Sequence, residues 1–222
     1  MEDPKRVIAI GDIHGCFDPL KKLIEDKIKL QKTDRIIFLG DYVDRGPQSK
    51  EVVDYIISLQ EKEFDIITLM GNHESMLLNA FTEDQYIPLW LYNGGSETLK
   101  SFGLSSTVFL PEKYRAFFQN LDYYYGYKQF LFVHAGFNDQ IINPFEDTYY
   151  MLWTRSEHYT NPILEGKTIV HGHSVIPVEF CKSLIKLNSN IINIDTGCVY
   201  AERPGCGKLT AFDVISKRIF SA

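Results

Sequence analysis

Short apolar segments alternate with glycine-containing polar turns along the first third of the chain. The segments at residues 6–10, 35–39 and 66–70 are rich in β-branched residues. Each is followed by a polar turn and then by a helix-like stretch, at residues 20–30, 49–60 and 75–81. Alternating strands and helices predict a parallel sheet with helices on its faces. In such sheets, ligands bind at the carboxyl ends of the strands.

The first helix-like stretch carries signals for its start and for its buried face. Asp18 followed by Pro19 is typical of an N-cap and a first helical position. Leu20, Leu23 and Ile28 fall on one side at helical spacing. We therefore expect a helix that begins near Pro19 and packs on the sheet.

The pattern changes at about residue 83. Residues 83–120 combine helix-like apolar spacing with breaks at 93–95 and 102–103, which predicts a small helical insertion. Its aromatic residues, such as Tyr86 and Trp90, are suited either to lining a cleft or to buried packing. After the insertion, strand-like segments dominate.

These later segments complete the predicted fold. Residues 122–127 and 129–133 predict a hairpin, and further strands are expected at 168–170, 191–194, 209–214 and 218–220. With 222 residues, of which 45% are hydrophobic, the chain can bury a substantial core. We expect one α/β domain over residues 1–222, with 83–120 as its helical insertion.

Charge and composition exclude several classes of function. A net charge of −6 provides no basic surface for nucleic acid. No apolar segment approaches the roughly 20 residues needed to cross a bilayer, and the N-terminus lacks a signal-peptide core, so we expect a cytoplasmic protein without a membrane partner. The four cysteines form no CxxC pair and are expected to be unpaired.

Five glycine-flanked segments carry the candidate chemistry. They lie at residues 11–15, 40–46, 71–74, 133–136 and 171–174, each just after or at the end of an apolar run. Among the histidines, only His158 lies outside them. Imidazole and carboxylate ligands delivered from several strand ends fit a two-metal site that hydrolyses phosphate esters.

The first two segments offer metal ligands. Asp12 and His14 are two residues apart on an extended segment, so both side chains can reach one ion. Asp41, at a strand end, can bridge two cations through its two oxygens. Each feature alone has a simpler interpretation, because a capped turn explains Asp12 and His14, and a surface ion pair explains Asp44 with Arg45.

The second segment also supplies an anion binder, and the remaining segments add an acid or base and further ligands. Arg45 presents a planar set of donors suited to phosphate oxygens. Asn72 offers a neutral oxygen, and the adjacent His73 is free to act as an acid or base, although Asn-His-Glu could simply cap a helix. His134 and His173 would be structural if each stood alone, but the complete set favours metal ligation.

In these residues the chain resembles the phosphoprotein phosphatase branch of the calcineurin-like metallophosphoesterases, particularly the compact bacterial and bacteriophage enzymes. The matching motifs are GDIHG, GDYVDRG, GNHE, VHAG and HGHS, in this order over nearly the whole chain. The resemblance implies a β-sandwich flanked by helices. It also implies hydrolysis of a phosphomonoester by direct attack of a metal-bridging hydroxide, most plausibly in a serine/threonine protein phosphatase.

The same resemblance assigns a role to each candidate residue. It implies that Asp12, His14 and Asp41 bind the first metal, and that Asp41 bridges to a second metal. The remaining assignments are the ligands Asn72, His134 and His173 for the second metal, His73 paired with Asp44 as the general acid, and Arg45 with Arg155 as the phosphate-binding pair. His171 is expected to be structural or to lie behind the ligands.

Substrate and metal remain open at this level. Dinucleoside tetraphosphate hydrolases resemble the chain in the same metal motifs, although segments 42–45 and 152–155 favour a protein phosphatase over a bis(5'-nucleosyl)-tetraphosphatase. A catalytically silent binding module is disfavoured because no expected site residue is missing. The donors fit Mn²⁺, Fe or Zn²⁺, and the resemblance favours two Mn²⁺ ions. A phosphoprotein or a small phosphorylated molecule is the expected substrate, and no regulatory subunit is indicated.

Overall fold

Two β-sheets at the centre of the molecule share one hydrophobic cluster. The structure, a computed structural model, describes residues 3–106 and 109–222. The strands are β1 (Arg6–Ile10), β2 (Asp34–Phe38), β3 (Asp65–Thr68), β4 (Tyr124–Tyr127), β5 (Phe130–Val133), β6 (Thr168–His171), β7 (Ile191–Asn193), β8 (Thr210–Asp213) and β9 (Arg218–Ser221). One sheet has the order β3-β2-β1-β8-β9, and the other has the order β4-β5-β6-β7.

Each sheet contains three neighbouring parallel strands. In the first sheet β1, β2 and β3 run parallel, and β8 and β9 continue it antiparallel. In the second sheet β5, β6 and β7 run parallel, and β4 forms the predicted hairpin with β5. Both sheets therefore direct several carboxyl ends toward the turns that carry the candidate ligands. The expected parallel α/β arrangement with two helix-flanked sheets is confirmed.

Helices cover the outer faces of the sheets. They are α1 (Phe17–Lys22), α2 (Ser49–Glu61), α3 (Asn72–Thr82), α4 (Ile87–Trp90), α5 (Ser96–Phe102), α6 (Glu112–Gln119), α7 (Thr148–Trp153) and α8 (Val178–Lys186). Short 3₁₀ turns lie at Asp84–Tyr86 and Pro162–Leu164, and π-helical turns at Leu23–Ile28 and Leu91–Gly95. Among the described residues, no helix has the length and apolar character needed to cross a bilayer.

Period-two alternation divides β1 and β2 between two cores. Ile8 and Phe38 point toward α1, α2 and α3, whereas Val7 and Ile37 pack against the second sheet. Successive residues of a strand face opposite sides, so a strand covered on both faces is apolar throughout. Burial on both faces therefore explains the uninterrupted apolar segments of the sequence.

The start of α1 differs from the prediction. The helix begins at Phe17 with Cys16 as N-cap, rather than at Pro19 after Asp18. The amide of Leu20 donates to the carbonyl of Cys16 at 3.1 Å, which closes the first turn earlier. Pro19 is tolerated in this first turn because its missing N–H would have had no helical partner there.

The segment between α3 and β4 is helical, with its described helices from Asp84 to Gln119. Residues 107 and 108 of the predicted insertion lie outside the described part of the chain. The division into a single domain with an insertion stays a prediction. The four cysteines are free, as expected.

Packing between the sheets predicts a large effect of one substitution. Phe132 on β5 is fully buried in the shared cluster. Phe132→Ala should lower the free energy of unfolding by about 3–5 kcal/mol, through lost burial and the cavity left behind. Phe180→Ala, at a side chain that is 53% exposed, is the matched control and should change it by no more than about 0.5 kcal/mol. Urea denaturation of both metal-free variants measures this, and equal effects would contradict the described packing.

Candidate metal centre

Six turns that follow parallel strands meet at one edge of the two sheets. Asp12 and His14 follow β1, Asp41 and Asp44 follow β2, and Asn72 and His73 begin α3 after β3. From the second sheet, His134 follows β5, His173 follows β6 and Asp195 follows β7. The predicted ligands thus come from both sheets. This brings Asp12 and His173, which are 161 positions apart, into contact.

Several of these residues hold a backbone conformation that L-amino acids rarely adopt. His14, Asp41, Asp44, Arg45 and His173 all have φ between 47° and 69°. Non-glycine residues in this left-handed region are uncommon, and they cluster at functional sites where the surroundings hold them in place. Among the described residues, five other non-glycine residues with positive φ lie outside these turns, so this conformation accompanies the site without identifying it.

Glu74 holds one of these turns in place. Its buried carboxylate accepts the amides of Asp41 and Tyr42 at 2.8 Å, Val43 at 3.2 Å and Gly71 at 3.0 Å. One side chain thus joins the turn after β2 to the start of α3. The sequence indicated only a helix cap here, and the contact with the preceding turn was not foreseen.

Two glycines allow backbone to approach the carboxylates closely. A Cβ at Gly71 would lie 2.2 Å from Asp41 Oδ1, and a Cβ at Gly172 would lie 2.0 Å from Asp12 Oδ1. Real Cβ atoms do not come so close to another heavy atom, so larger residues would displace the carboxylates. The next residue, His173, donates its amide to Asp12 Oδ2 at 3.0 Å.

The buried donors form two overlapping groups. His14, Asp41 and His73 make one group, and Asp12, Asp41 and His134 make the other, with ligand atoms within 4.8 Å of one another in each. Asp41 belongs to both groups, as expected of a bridging ligand. Asp12 groups with His134 here rather than with His14, and the assignment of ligands to individual ions stays a prediction.

The tautomers of two histidines leave lone pairs directed into the site. His14 Nδ1 lies 2.9 Å from the carbonyl of Val43, and His134 Nδ1 lies 3.0 Å from that of Leu39. A carbonyl only accepts, so each Nδ1 carries the proton. Burial lowers the pKa of both rings, which leaves them neutral with Nε2 available as a ligand atom.

A third set of atoms tests whether a cation fits. Asn72 Oδ1 lies 2.8 Å from His134 Nε2 and 3.1 Å from His173 Nδ1, and the two ring nitrogens are 3.2 Å apart. Burial lowers the pKa of His173 to about 3, so at most one hydrogen serves these three atoms. Converging lone pairs are repulsive until a cation lies among them, and the residues present therefore fit a metal ion.

The buried carboxylates also fit a metal ion. Burial, together with Asp195 and Asp41, raises the pKa of Asp12, and burial raises the pKa of Asp195 to about 6. Burial also favours the neutral form of Asp41, and what holds its pKa below the usual value is the positive charge that four facing histidines would carry when protonated. Negative charge that lacks a neutralising partner is the environment that a divalent cation requires. Asp195 was not among the predicted site residues.

His73 is oriented by a buried network. Its Nδ1 lies 2.7 Å from Asp44 Oδ2, and its Nε2 is a buried atom with no hydrogen-bond partner, 4.0 Å from Asp41 Oδ2. Asp44 also accepts from Thr98 Oγ1 at 2.6 Å and from Trp90 Nε1 at 3.0 Å. Trp90 therefore combines buried packing with a hydrogen bond that the sequence pattern did not reveal.

Two predicted arginines lie at the exposed rim. Arg45 Nη1 is 2.6 Å from His14 Nε2, and Arg155 Nη1 donates to Ser174 Oγ at 2.5 Å. Arg45 thus contacts the lone pair that a metal ion would take, so it must release His14 when an ion binds there. His171 is buried in β6 and its Nδ1 contacts the carbonyl of Gly172, as expected for a structural residue.

Comparisons with known proteins agree with this site. The chain matches the family described as Calcineurin-like phosphoesterase over residues 5–209. Serine/threonine-protein phosphatase 2 of Salmonella typhimurium is 29% identical in an alignment of 205 positions, and the match covers 87% of this chain and 88% of that protein. The symmetrical bis(5'-nucleosyl)-tetraphosphatase of Pseudomonas syringae is 42% identical over 72 residues, which are 32% of this chain and only 24% of that protein.

A solved structure supports the fold. The cold-active protein-tyrosine phosphatase of a psychrophilic Shewanella aligns with a TM-score of 0.68 at 18% identity, over 100% of this chain and 80% of that one. At this identity the similarity concerns the fold alone. Together with the family match, it confirms the resemblance drawn from the motifs.

The Glu74 contacts predict a specific loss of stability. Glu74→Gln replaces one acceptor oxygen by an amide group, which would point its hydrogens at backbone N–H groups. We expect the free energy of unfolding to fall by about 1–3 kcal/mol, the penalty for leaving buried donors unsatisfied. Glu97→Gln, whose carboxylate pairs with Lys100 on the surface, is the control and should have little effect. If denaturant titrations gave the two variants the same stability, Glu74 would not hold the turns.

The donor groups predict a ligand-dependent stability. Adding Mn²⁺ or Zn²⁺ at about 100 times its dissociation constant should stabilise the protein by about 2.7 kcal/mol, because the folded state alone assembles the site. Asp41→Asn should remove most of the metal-induced rise in melting temperature. Asp65→Asn, at a partly exposed carboxylate paired with Arg35, should retain it. An equal metal-induced rise in both variants would place the cations elsewhere.

Proposed function

Because the chain belongs to the calcineurin-like phosphoesterase family, we propose that it is a metal-dependent phosphomonoesterase that acts on phosphoserine and phosphothreonine in proteins. The observation that carries the reaction type is the buried His73–Asp44 pair, whose free Nε2 lies beside the candidate metal ligand Asp41. A positioned imidazole next to such a site suits protonation of a leaving alkoxide.

The choice of protein substrates is supported by the extent of similarity. The match to the Salmonella phosphatase extends over nearly the full length of both chains. The match to the tetraphosphatase covers about a quarter of that protein. Substrate recognition depends on residues around a metal centre, and a full-length match therefore carries more weight than a local one.

The proposed ligands are Asp12, His14, Asp41, Asn72, His134 and His173. Two bound divalent cations would supply the positive charge that acidifies water and neutralises phosphate oxygens. The manganese preference and the cytoplasmic location stay predictions.

The chain's own residues would bind the phosphoryl group and protonate the leaving group. Arg45 and Arg155 are proposed to hold phosphoryl oxygens through their planar donors. His73 Nε2 would give its proton to the departing seryl or threonyl oxygen. Asp44 would keep the ring in place through its contact with Nδ1, which leaves Nε2 available beside Asp41. Burial raises the pKa of Asp44, and the hydrogen bonds from His73 and Thr98 oppose this shift.

A groove beside the centre is suited to the part of the substrate that carries the phosphate. It encloses about 620 Å³ and is lined by uncharged residues, among them Leu89, Tyr149 and Trp153. The Trp153 ring lies 6.2 Å from the His173 ring, which connects the groove to the candidate ligands. Apolar or aromatic side chains flanking a phosphorylated residue fit such a lining.

The proposed acid role predicts a dependence on the leaving group. His73→Ala should slow hydrolysis of a phosphoserine peptide by about 10²–10⁴-fold, the usual contribution of a general acid. The loss should be smaller for an aryl phosphate, whose leaving group scarcely needs a proton. His158→Ala, at the exposed histidine outside the site, is the matched control for both substrates. Equal losses on the two substrates would rule out the acid role.

The second candidate function is hydrolysis of dinucleoside tetraphosphates. The 42% identity over 72 residues to the Pseudomonas tetraphosphatase favours it. Parallel assays on a phosphoserine peptide and on diadenosine tetraphosphate, with the same metal-loaded protein, separate the two candidates. A much higher kcat/KM for the dinucleotide would reverse the order proposed here.

A further inference from the structure

The turn after β7 is a fixed platform at the rim of the candidate metal centre. The amide of Tyr200 donates to the carbonyl of Gly197 at 2.8 Å, and that of Arg203 donates to the carbonyl of Tyr200 at 3.0 Å. The amide of Val178, at the start of α8, donates to the carbonyl of Gly205 at 2.9 Å. These bonds hold the backbone of Arg203 in one place.

Tyr200 connects this platform to the proposed phosphate-binding arginine. Arg203 Cζ lies 3.9 Å from the centroid of the Tyr200 ring, and Arg45 Cζ lies 5.9 Å from the same centroid. Two guanidinium groups therefore share one aromatic ring. Arg45 reaches inward to His14, whereas Arg203 is exposed to solvent. Stacking on the ring restricts Arg203, so less entropy is lost when it binds an anion.

These two arginines differ in their ion pairs from other arginines of the chain. Arg6, Arg35 and Arg115 each pair with a carboxylate. In the described part of the chain, neither Arg45 nor Arg203 forms such a pair. The positive charge of Arg45 also acts on the buried carboxylates of Asp12 and Asp195. Arg203, which is exposed and has no ion pair in the described residues, is therefore the guanidinium group whose charge is available to an anion.

We propose that Arg203 forms a second anion subsite next to Arg45, which recognises a negatively charged group of the substrate close to the phosphate that is removed. This inference rests on the proposed function and narrows its substrate class to phosphoproteins with an acidic or second phosphorylated residue near the phosphorylated one. The planar guanidinium binds carboxylate or phosphate through two parallel hydrogen bonds. The uncharged groove at Trp153 offers no comparable attraction for a charged neighbour.

Matched phosphopeptides test the subsite. Three peptides of one sequence, with asparagine, aspartate or phosphoserine beside the phosphoserine that is cleaved, are compared by kcat/KM. The wild type should prefer the two acidic peptides by roughly threefold to tenfold, and this preference should shrink as salt is added. Arg203→Ala should bring the ratio of acidic to neutral peptide close to one. Arg203→Lys should keep part of it, because the charge remains.

The chain offers a matched control and a second readout. Arg218 stacks on Phe220 at 4.9 Å much as Arg203 stacks on Tyr200, and it lies on β9 opposite Asp213, toward the amino-terminal end of β1. Arg218→Ala should keep the wild-type preference. Phosphonate analogues of the peptides, which cannot be cleaved, report binding by fluorescence anisotropy and should show the same loss in Arg203→Ala. Melting temperatures verify that each variant is folded.

Three outcomes of these experiments would overturn different parts of the proposals. An unchanged ratio in Arg203→Ala would overturn the subsite. If Arg203→Ala lowered kcat/KM for diadenosine tetraphosphate alone, the recognised anion would be an oligophosphate, which would overturn the phosphoprotein form of the inference. Failure to cleave any phosphopeptide, with phosphonate binding still dependent on Arg203, would overturn the proposed function and leave the subsite standing.

Discussion

Buried negative charge at the shared edge of the two sheets is the constraint on which the site depends. Asp12, Asp41 and Asp195 are almost inaccessible to water, and the imidazoles around them are held neutral by burial. Ionised carboxylates in such surroundings are stable only with a cation or a set of directed donors. The backbone supplies some of these donors, because the amide of His173 donates to Asp12 and the amide of His73 donates to Asp41. Divalent cations bound at the candidate ligands would neutralise the rest of this negative charge.

The two sheets make this concentration of charge possible. Three parallel strands in each sheet end at the same edge, and several residues in the turns that follow them have left-handed backbone conformations. The amides of Ile13 and His14 donate to the carbonyl of Asp41, and Glu74 joins that turn to α3. Left-handed residues persist because these contacts hold them in several directions. Rigidity at the metal edge is thus a property of backbone hydrogen bonds between turns, with the hydrophobic cores keeping the strands in register behind them.

Local patterns in the sequence were sufficient to predict the strands, most helices and the identity of the candidate ligands. Each of these depends on neighbouring residues, such as apolar alternation or a glycine beside an aspartate. Contacts between distant segments were not predictable in this way. Thr98 and Trp90 reach Asp44 from 54 and 46 residues away, and no periodicity records that pairing. Asp195 and Arg203 were missed for a similar reason, because the turn after β7 shows its relation to the site only once the second sheet is folded against the first.

The helical segment between α3 and β4 connects substrate recognition to the acid. Its Trp90 and Thr98 fix Asp44 behind His73, and its Leu89 lines the uncharged groove. Gly94 accepts the amide of Arg45, and a Cβ at Gly94 would lie 2.8 Å from that amide nitrogen. If a bound substrate displaced this segment, the positions of Asp44 and Arg45 would therefore change together. In such an arrangement the metal ligands at the strand ends can keep their positions, while the residues of the groove and those that orient His73 move together. For this reason, differences in substrate choice among proteins with these metal motifs are expected to lie in this segment and in the turn after β7.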